Sequence, residues 1–174
     1  MARRTAYLPF VRINQLKHYL DLSCEKRQDL LDRFSVTLHR KNAVLEAMLV
    51  AYGASIEMPE VIVRGSYAAF LTYALLEQEC AVRELLLPVV SPDCAVRFME
   101  DHHLSSLSGA VNKDLFELLR CFEKQNQNLV CMAAFFLPEK SCLLDVLQVF
   151  RPAIMLYNLL QSQAEVNSLK ESFR

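Results

Sequence analysis

The chain is poor in glycine, with only Gly53, Gly65 and Gly109, it has no tryptophan, and proline is modest at six. So few turn formers argue against an all-β sandwich or barrel, whose many tight turns consume Gly and Pro. They also exclude a phosphate-cradling loop of the Walker or dinucleotide type, which needs glycines at fixed spacing. Long apolar runs are missing too. The longest, Ser66 to Leu76, Leu85 to Val90 and Leu129 to Leu137, fall well short of the ~20 residues that span a bilayer. Met1-Ala2-Arg3-Arg4 starts with charge as a secretory leader does, but the apolar patch after it is broken by Pro9, Arg12 and Asn14. No leader is read there.

Close cysteine pairs are absent. The nearest two of the six, Cys121 and Cys131, stand ten residues apart, whereas a structural zinc site wants ligands two to four residues apart, in two such pairs. Disulfide scaffolds are short and loop-rich, and this chain is neither. Most of its cysteines sit among apolar neighbours, as in Leu129-Val130-Cys131-Met132, and read as small buried hydrophobes. That usage predicts a reducing compartment, cytosol or nucleus.

What the chain does have is apolar content. Its 174 residues are 53% hydrophobic, against roughly 45–50% in ordinary globular chains. The excess implies either a large core or an apolar surface hidden by a partner. Net charge is −1, but residues 1–41 hold nine Lys/Arg against four acids, a surplus of five positive charges that the remainder more than cancels. Charge asymmetry of this kind bears on partners. Lys26, Arg27, Arg33, Arg40 and Lys41 carry it, with Glu25, Asp29 and Asp32 interleaved.

Helical spacing recurs along the chain. Pro9 stands where a first helix, with Phe10, Ile13, Leu16 and Leu20, could begin. Ser23 is a candidate N-cap for the next, whose apolar face is Leu30, Leu31, Phe34 and Leu38. Val44 to Tyr52 predicts a third, closed by Gly53. Pro59 opens another, which Gly65-Ser66 is expected to interrupt before it resumes from Tyr67 to Gln78; a further segment from Val82 to Leu87 would stop at Pro88. Ser91-Pro92-Asp93 is the clearest helix start, and that helix should reach about His103. A loop from Ser105 to Asn112 follows. Helices are then expected at Asp114 to Lys124, Leu129 to Leu137, Leu143 to Phe150 behind Ser141, and from Pro152 onward, with a fraying polar tail from Gln161. The expectation is one all-α domain of nine or ten short antiparallel helices over residues 1–174: basic helices to 41, an apolar core over 42–163, a polar tail over 164–174.

The two halves correspond at a spacing near 85 residues. Asp29-Leu30-Leu31-Asp32 matches Asp114-Leu115-Phe116-Glu117, Glu60-Val61-Ile62 matches Asp145-Val146-Leu147, and Tyr73-Ala74-Leu75-Leu76 matches Tyr157-Asn158-Leu159-Leu160 with a shift of one. This is about twice the 40–47-residue period of armadillo and HEAT repeats. Ser91 through Glu100 resembles the first helix of an armadillo-type repeat, and Tyr157-Asn158-Leu159-Leu160 the end of its last, so residues 24–163 resemble such a stack; the glycine usual between the first two helices is replaced by His102-His103. The resemblance implies a concave surface that takes an extended peptide or a partner helix. The other architecture compatible with the helices is a compact multi-helix bundle. An apoptosis-regulator bundle fits in size, but its Asn-Trp-Gly-Arg signature is absent and Arg64-Gly65 is a poor echo.

Motifs for chemistry are lacking. Glu100-Asp101-His102-His103 near Cys94 is the one dense set of metal-type ligands, yet adjacent helix residues point about 100° apart, so it reads as a polar helix end. No Gly-x-Ser-x-Gly elbow occurs. The reading is therefore a non-catalytic adaptor or scaffold without metal or cofactor, binding a protein partner through the basic helices or through an apolar face carrying Phe135, Phe136 or Tyr157. A nucleic-acid-associated factor using residues 26–41 is the first alternative, a helical regulator of the apoptosis-regulator (Bcl-2-like) type the second, and an enzyme with a dispersed site the third.

Overall fold

A computed structural model describes residues 7–13, 21–55, 57–104, 113–135 and 143–173. Among them are seven helices and no β-strand, so the chain is all-α. They are α1 (Cys24–Lys41), α2 (Ala43–Ser55), α3 (Pro59–Val82), α4 (Pro92–Asp101), α5 (Lys113–Gln125), α6 (Gln127–Phe135) and α7 (Leu143–Ser172). The expected loop from Ser105 to Asn112 and the capping role of Ser141 lie outside the described residues.

Helix starts follow local chemistry. Ser23 caps α1, its Oγ accepting from Lys26 N, and Ser91 caps α4 by accepting from Cys94 N. Pro59 and Pro92 occupy first-turn positions, where a missing N–H costs nothing. In α1 the last turn carries His39, Arg40 and Lys41 against the negative end of the helix dipole. Two helix ends use an unexpected residue. Glu84 (φ 53°) and His103 (φ 50°) adopt the left-handed conformation. Leu85 N then bonds Cys80 O at 2.8 Å, and Leu104 N bonds Met99 O at 2.9 Å. Both are Schellman closures, in which glycine is the usual residue. The expected helix from Val82 to Leu87 does not form, because α3 ends here and residues 86–90 run without regular structure.

The helices gather around α7, which touches α2, α3, α4 and α5; its longest interface is with α3. Buried residues of α3 run from Gly65 to Cys80, and those of α7 include Val149, Phe150 and the unbroken stretch from Ala153 to Leu160. Phe122 of α5 stacks on Tyr157 of α7 with ring centroids 4.2 Å apart. From α1, Phe34 and Leu38 are buried in the same core, with Leu30 and Leu31 packed partly against it.

Three expected breaks are absent, and one contact explains two of them. Gly65 lies inside α3, and a Cβ built there would stand 2.6 Å from Tyr52 Oη, 2.8 Å from Val149 O and 3.0 Å from Pro152 Cγ. The glycine thus marks a close approach of α3 to α7, with no room for a side chain, and is no helix breaker. Pro152 lies within α7 rather than opening it. Proline has no N–H, so the carbonyl four residues back loses its helix partner. That carbonyl is Gln148 O, and Tyr52 Oη donates to it at 3.1 Å. Burial pushes the Tyr52 phenol up to about 12, against a lowering by Arg151, which keeps it a donor. The third break, at Gly53, fails because α2 continues to Ser55. Nor does the chain fray from Gln161: α7 continues to Ser172, with Gln161, Gln163 and Ala164 buried.

Tyr52→Phe keeps the ring and removes the hydroxyl, leaving Gln148 O without this donor. Stability in urea unfolding should fall by about 1–3 kcal/mol. An unchanged midpoint would show that the hydroxyl does not mend the helix at Pro152.

Candidate functional site

The expected first helix does not begin at Pro9: the first helical residue is Ile13, and Leu16 and Leu20 lie outside the described residues. Residues 8–12 form an extended strap, and side chains from distant helices bind its backbone. Leu8 N donates to Gln161 Oε1 at 3.0 Å. Asn126 forks across the strap: its Nδ2 donates to Pro9 O at 2.9 Å and its Oδ1 accepts from Val11 N at 2.9 Å. Asn128 Nδ2 donates to Val11 O at 2.7 Å, and Arg83 Nη2 to Phe10 O at 3.3 Å. Buried backbone groups need such partners, and an extended segment cannot supply its own. Leu8 and Val11 point into the core, while Phe10 faces out.

The same device occurs a second time. Asn42 Nδ2 donates to Pro88 O at 3.1 Å, and its Oδ1 accepts from Val90 N at 3.0 Å. Gln163 Oε1 then accepts from Ser91 N at 2.9 Å, where α4 begins. Each asparagine is the single residue between two helices, α1 and α2 or α5 and α6. Each has its N–H on the carbonyl four back, Leu38 or Phe122, and its carbonyl receives the N–H three ahead, of Leu45 or Leu129. Both are essentially fully buried. A carboxamide carries donor and acceptor on one planar fork, which is what an extended strand offering C=O and N–H on one edge requires.

At the strap's end the buried carboxylate of Glu79 accepts from Arg12 N at 3.2 Å and Arg12 Nε at 2.9 Å, and pairs with Arg83 at 3.4 Å. Burial pushes this carboxyl up, but the Arg12 hydrogen bonds and the Arg12 and Arg83 charges outweigh it and hold it below its ordinary value of 4.5. Between the strap and residues 86–89 lies a cavity of about 330 Å³, lined among others by Leu8, Pro9, Leu86, Val89 and Cys80. Burial pushes the Cys80 thiol up to about 11, with Glu77 and Glu79 reinforcing and Arg83 opposing. It is a poor nucleophile.

Exposed apolar side chains collect at this end. Tyr7, Phe10, Ile13, Val82, Leu86 and Val89 are between 46% and 69% exposed. They lie on or beside the strap, the last turn of α3 and the segment after it.

The residues singled out from the sequence are placed differently from one another. Lys26, Arg33 and Arg40 are exposed on α1 at seven-residue spacing and share one ridge. Arg27 is half-buried, its guanidinium 5.6 Å from the Tyr67 ring centre. Lys41 Nζ pairs with Glu77 Oε2 at 3.1 Å. Phe135 is the last residue of α6, and Phe136 lies outside the described residues. Tyr157 is no docking residue: it is fully buried against Phe122, because the apolar repeat that carries it is the core face of α7. Among the described residues, no group of three or more His, Cys, Asp or Glu is arranged to hold a metal ion, and no helix is long and apolar enough to cross a membrane. The sequence reading missed Asn126, Gln161, Gln163 and Glu79. Their signal was faint, an asparagine between two apolar helices and polar residues on the apolar stripe of α7.

No family model matches this chain, no curated protein matches it, and no solved structure matches its fold.

A group whose pKa is depressed by folding stabilises the fold above its unfolded pKa, and that contribution is lost as pH falls through the folded value. Glu79→Gln should therefore lower the thermal midpoint at pH 7. The gap to the parent chain should close on acidification, at pH values below 4.5. A gap independent of pH would mean that the Glu79 charge does not secure the strap.

Proposed function

We propose that this chain is a non-catalytic adaptor that docks a partner protein on the apolar end formed by the strap, the last turn of α3 and residues 86–89. The carrying observation is the clustering there of six exposed large apolar side chains, among fourteen found on all described residues. Contiguous exposed apolar surface marks interaction sites, whereas scattered single residues do not. Arg12 and Arg83, about half exposed, stand at its edge. An apolar centre with a polar rim is the usual anatomy of a protein interface. Cys80, Cys94, Cys121 and Cys131 are free thiols, which fits a reducing compartment, cytosol or nucleus.

A second reading, nucleic-acid binding, rests on the α1 ridge of Lys26, Arg33 and Arg40. The observations favour it less. Glu25, Asp29 and Asp32 are exposed on the same helix, and Arg27 and Lys41 already serve internal contacts.

The test is capture of partners from native cells by the tagged chain, with and without nuclease, against a variant carrying Val82→Ser, Leu86→Ser and Val89→Ser. These side chains are more than half exposed, so thermal stability should change little. A nuclease-resistant protein partner should be lost by about tenfold or more in affinity, as expected where anchors are worth more than about 1 kcal/mol each. Undiminished capture by the variant would contradict the docking surface, and partners lost to nuclease would favour the α1 ridge.

A further inference from the structure

We propose that the cradle now filled by the strap is a peptide-binding site, and that its ligand is an extended segment of the partner with the pattern Leu-Pro-x-Val followed by a basic residue. This assignment rests on the adaptor reading for its source, but the site itself is argued from the cradle.

The chain carries its own record of what such a cradle accepts. Leu8-Pro9-Phe10-Val11 and Leu87-Pro88-Val89-Val90 share one pattern. In both, an asparagine fork takes the proline carbonyl and the valine N–H. The recognition is of main chain, so the sequence preference comes from the side chains between. Each valine is essentially fully buried, at 0% and 2% exposure. Proline brings no N–H to be satisfied and holds φ near −65°, which suits an extended ligand. The bracketed residue, Phe10 or Val89, points outward and is free to vary. After the valine, Arg12 meets Glu79, which supplies the preference for a cation in the first cradle.

The two occupants differ in how they are fixed. The segment at Asn42 is continuous with α3 on one side and α4 on the other, so it leaves only if the fold opens. The strap at Asn126 precedes α1 and runs directly into helical Ile13. Its contacts to other described residues are side-chain hydrogen bonds spanning 67 to 153 positions and the packing of Leu8 and Val11 in the core, and no backbone–backbone bond ties it to a described residue. An intramolecular segment competes with an effective concentration on the order of millimolar. A partner therefore displaces it by adding contacts on the adjoining Val82, Leu86 and Val89.

The experiment uses the full chain and a fluorescent heptapeptide, Tyr-Leu-Pro-Phe-Val-Arg-Ile, read by anisotropy. Two variants loosen the strap and leave the cradle intact, Val11→Asp and Arg12→Ala. The peptide should bind them at least about tenfold more tightly than the parent chain, the factor that about 1.4 kcal/mol of lost strap contact yields. A peptide with aspartate at the valine should not bind, and Asn126→Ala added to either variant should abolish binding. In the parent chain, millimolar peptide should speed tryptic cleavage after Arg12, which needs no variant to fold. If the peptide neither binds the loosened variants nor speeds that cleavage, the cradle is no peptide site. If instead the strap is exchanged between copies, seen as a dimer that the peptide dissolves, the occupant is a second copy and the partner assignment is overturned. The adaptor reading fails separately, when the Val82, Leu86 and Val89 variant keeps its partner.

Discussion

Extended backbone cannot be buried against helices unless something answers its N–H and C=O groups. Helix interiors cannot, since their backbone groups are taken up in their own ladders, and leaving a buried pair unanswered costs about 1–3 kcal/mol per group. Five carboxamides meet that need here, Asn42, Asn126, Asn128, Gln161 and Gln163, all buried except the half-buried Asn128. They fix the strap over α5 to α7 and set the entry to α4. Asn42 and Asn126 also sit at the tight junctions between α1 and α2 and between α5 and α6, so the packing of consecutive helices and the docking of the extended segments depend on the same two side chains. The apolar end of the molecule exists because these segments are held with Leu8, Val11 and Val90 inward and Phe10 and Val89 outward.

A second constraint lies at the crossing of α3 and α7. Close approach there requires Gly65, and α7 passes through Pro152 without ending because Tyr52 of α2 donates to the freed carbonyl of Gln148. The three residues work together: glycine admits the proline ring and the phenol, and the phenol repairs what the proline removes. This lets α7 run for 30 residues and serve as the axis around which other helices pack.

The all-α class was legible in the sequence because scarce glycine, helical apolar spacing and strong caps at Ser23, Pro59 and Ser91 are local signals, and local signals suffice for helix starts. What the sequence did not reveal was settled by tertiary contacts. Gly65 and Pro152 read as breaks because propensity is local, whereas their tolerance comes from partners far along the chain. Pro9 read as a helix start because nothing nearby in sequence shows that Asn126 will hold it extended. Gln161 and Gln163 read as a fraying tail, since polar residues on a helix stripe look solvated unless their partners are known. The Tyr157 region was read as a docking face and is core for the converse reason, as an apolar stripe does not say whether it faces inward. Asn42 and Asn126, which do the same task at the two extended segments, were not singled out, because a lone asparagine between helices looks like a solvated turn.

Asparagine side chains thus bind the backbone of the two extended segments. Amide hydrogen exchange at Val11 and Val90 tests it most directly, since both N–H groups lie outside every helix and each donates to an asparagine Oδ1. Both should exchange slowly, with protection comparable to amides in the core of α3 and α7, and Asn126→Ala should expose Val11 while leaving Val90 protected. Exchange of both at the rate of an open loop in the parent chain would contradict it.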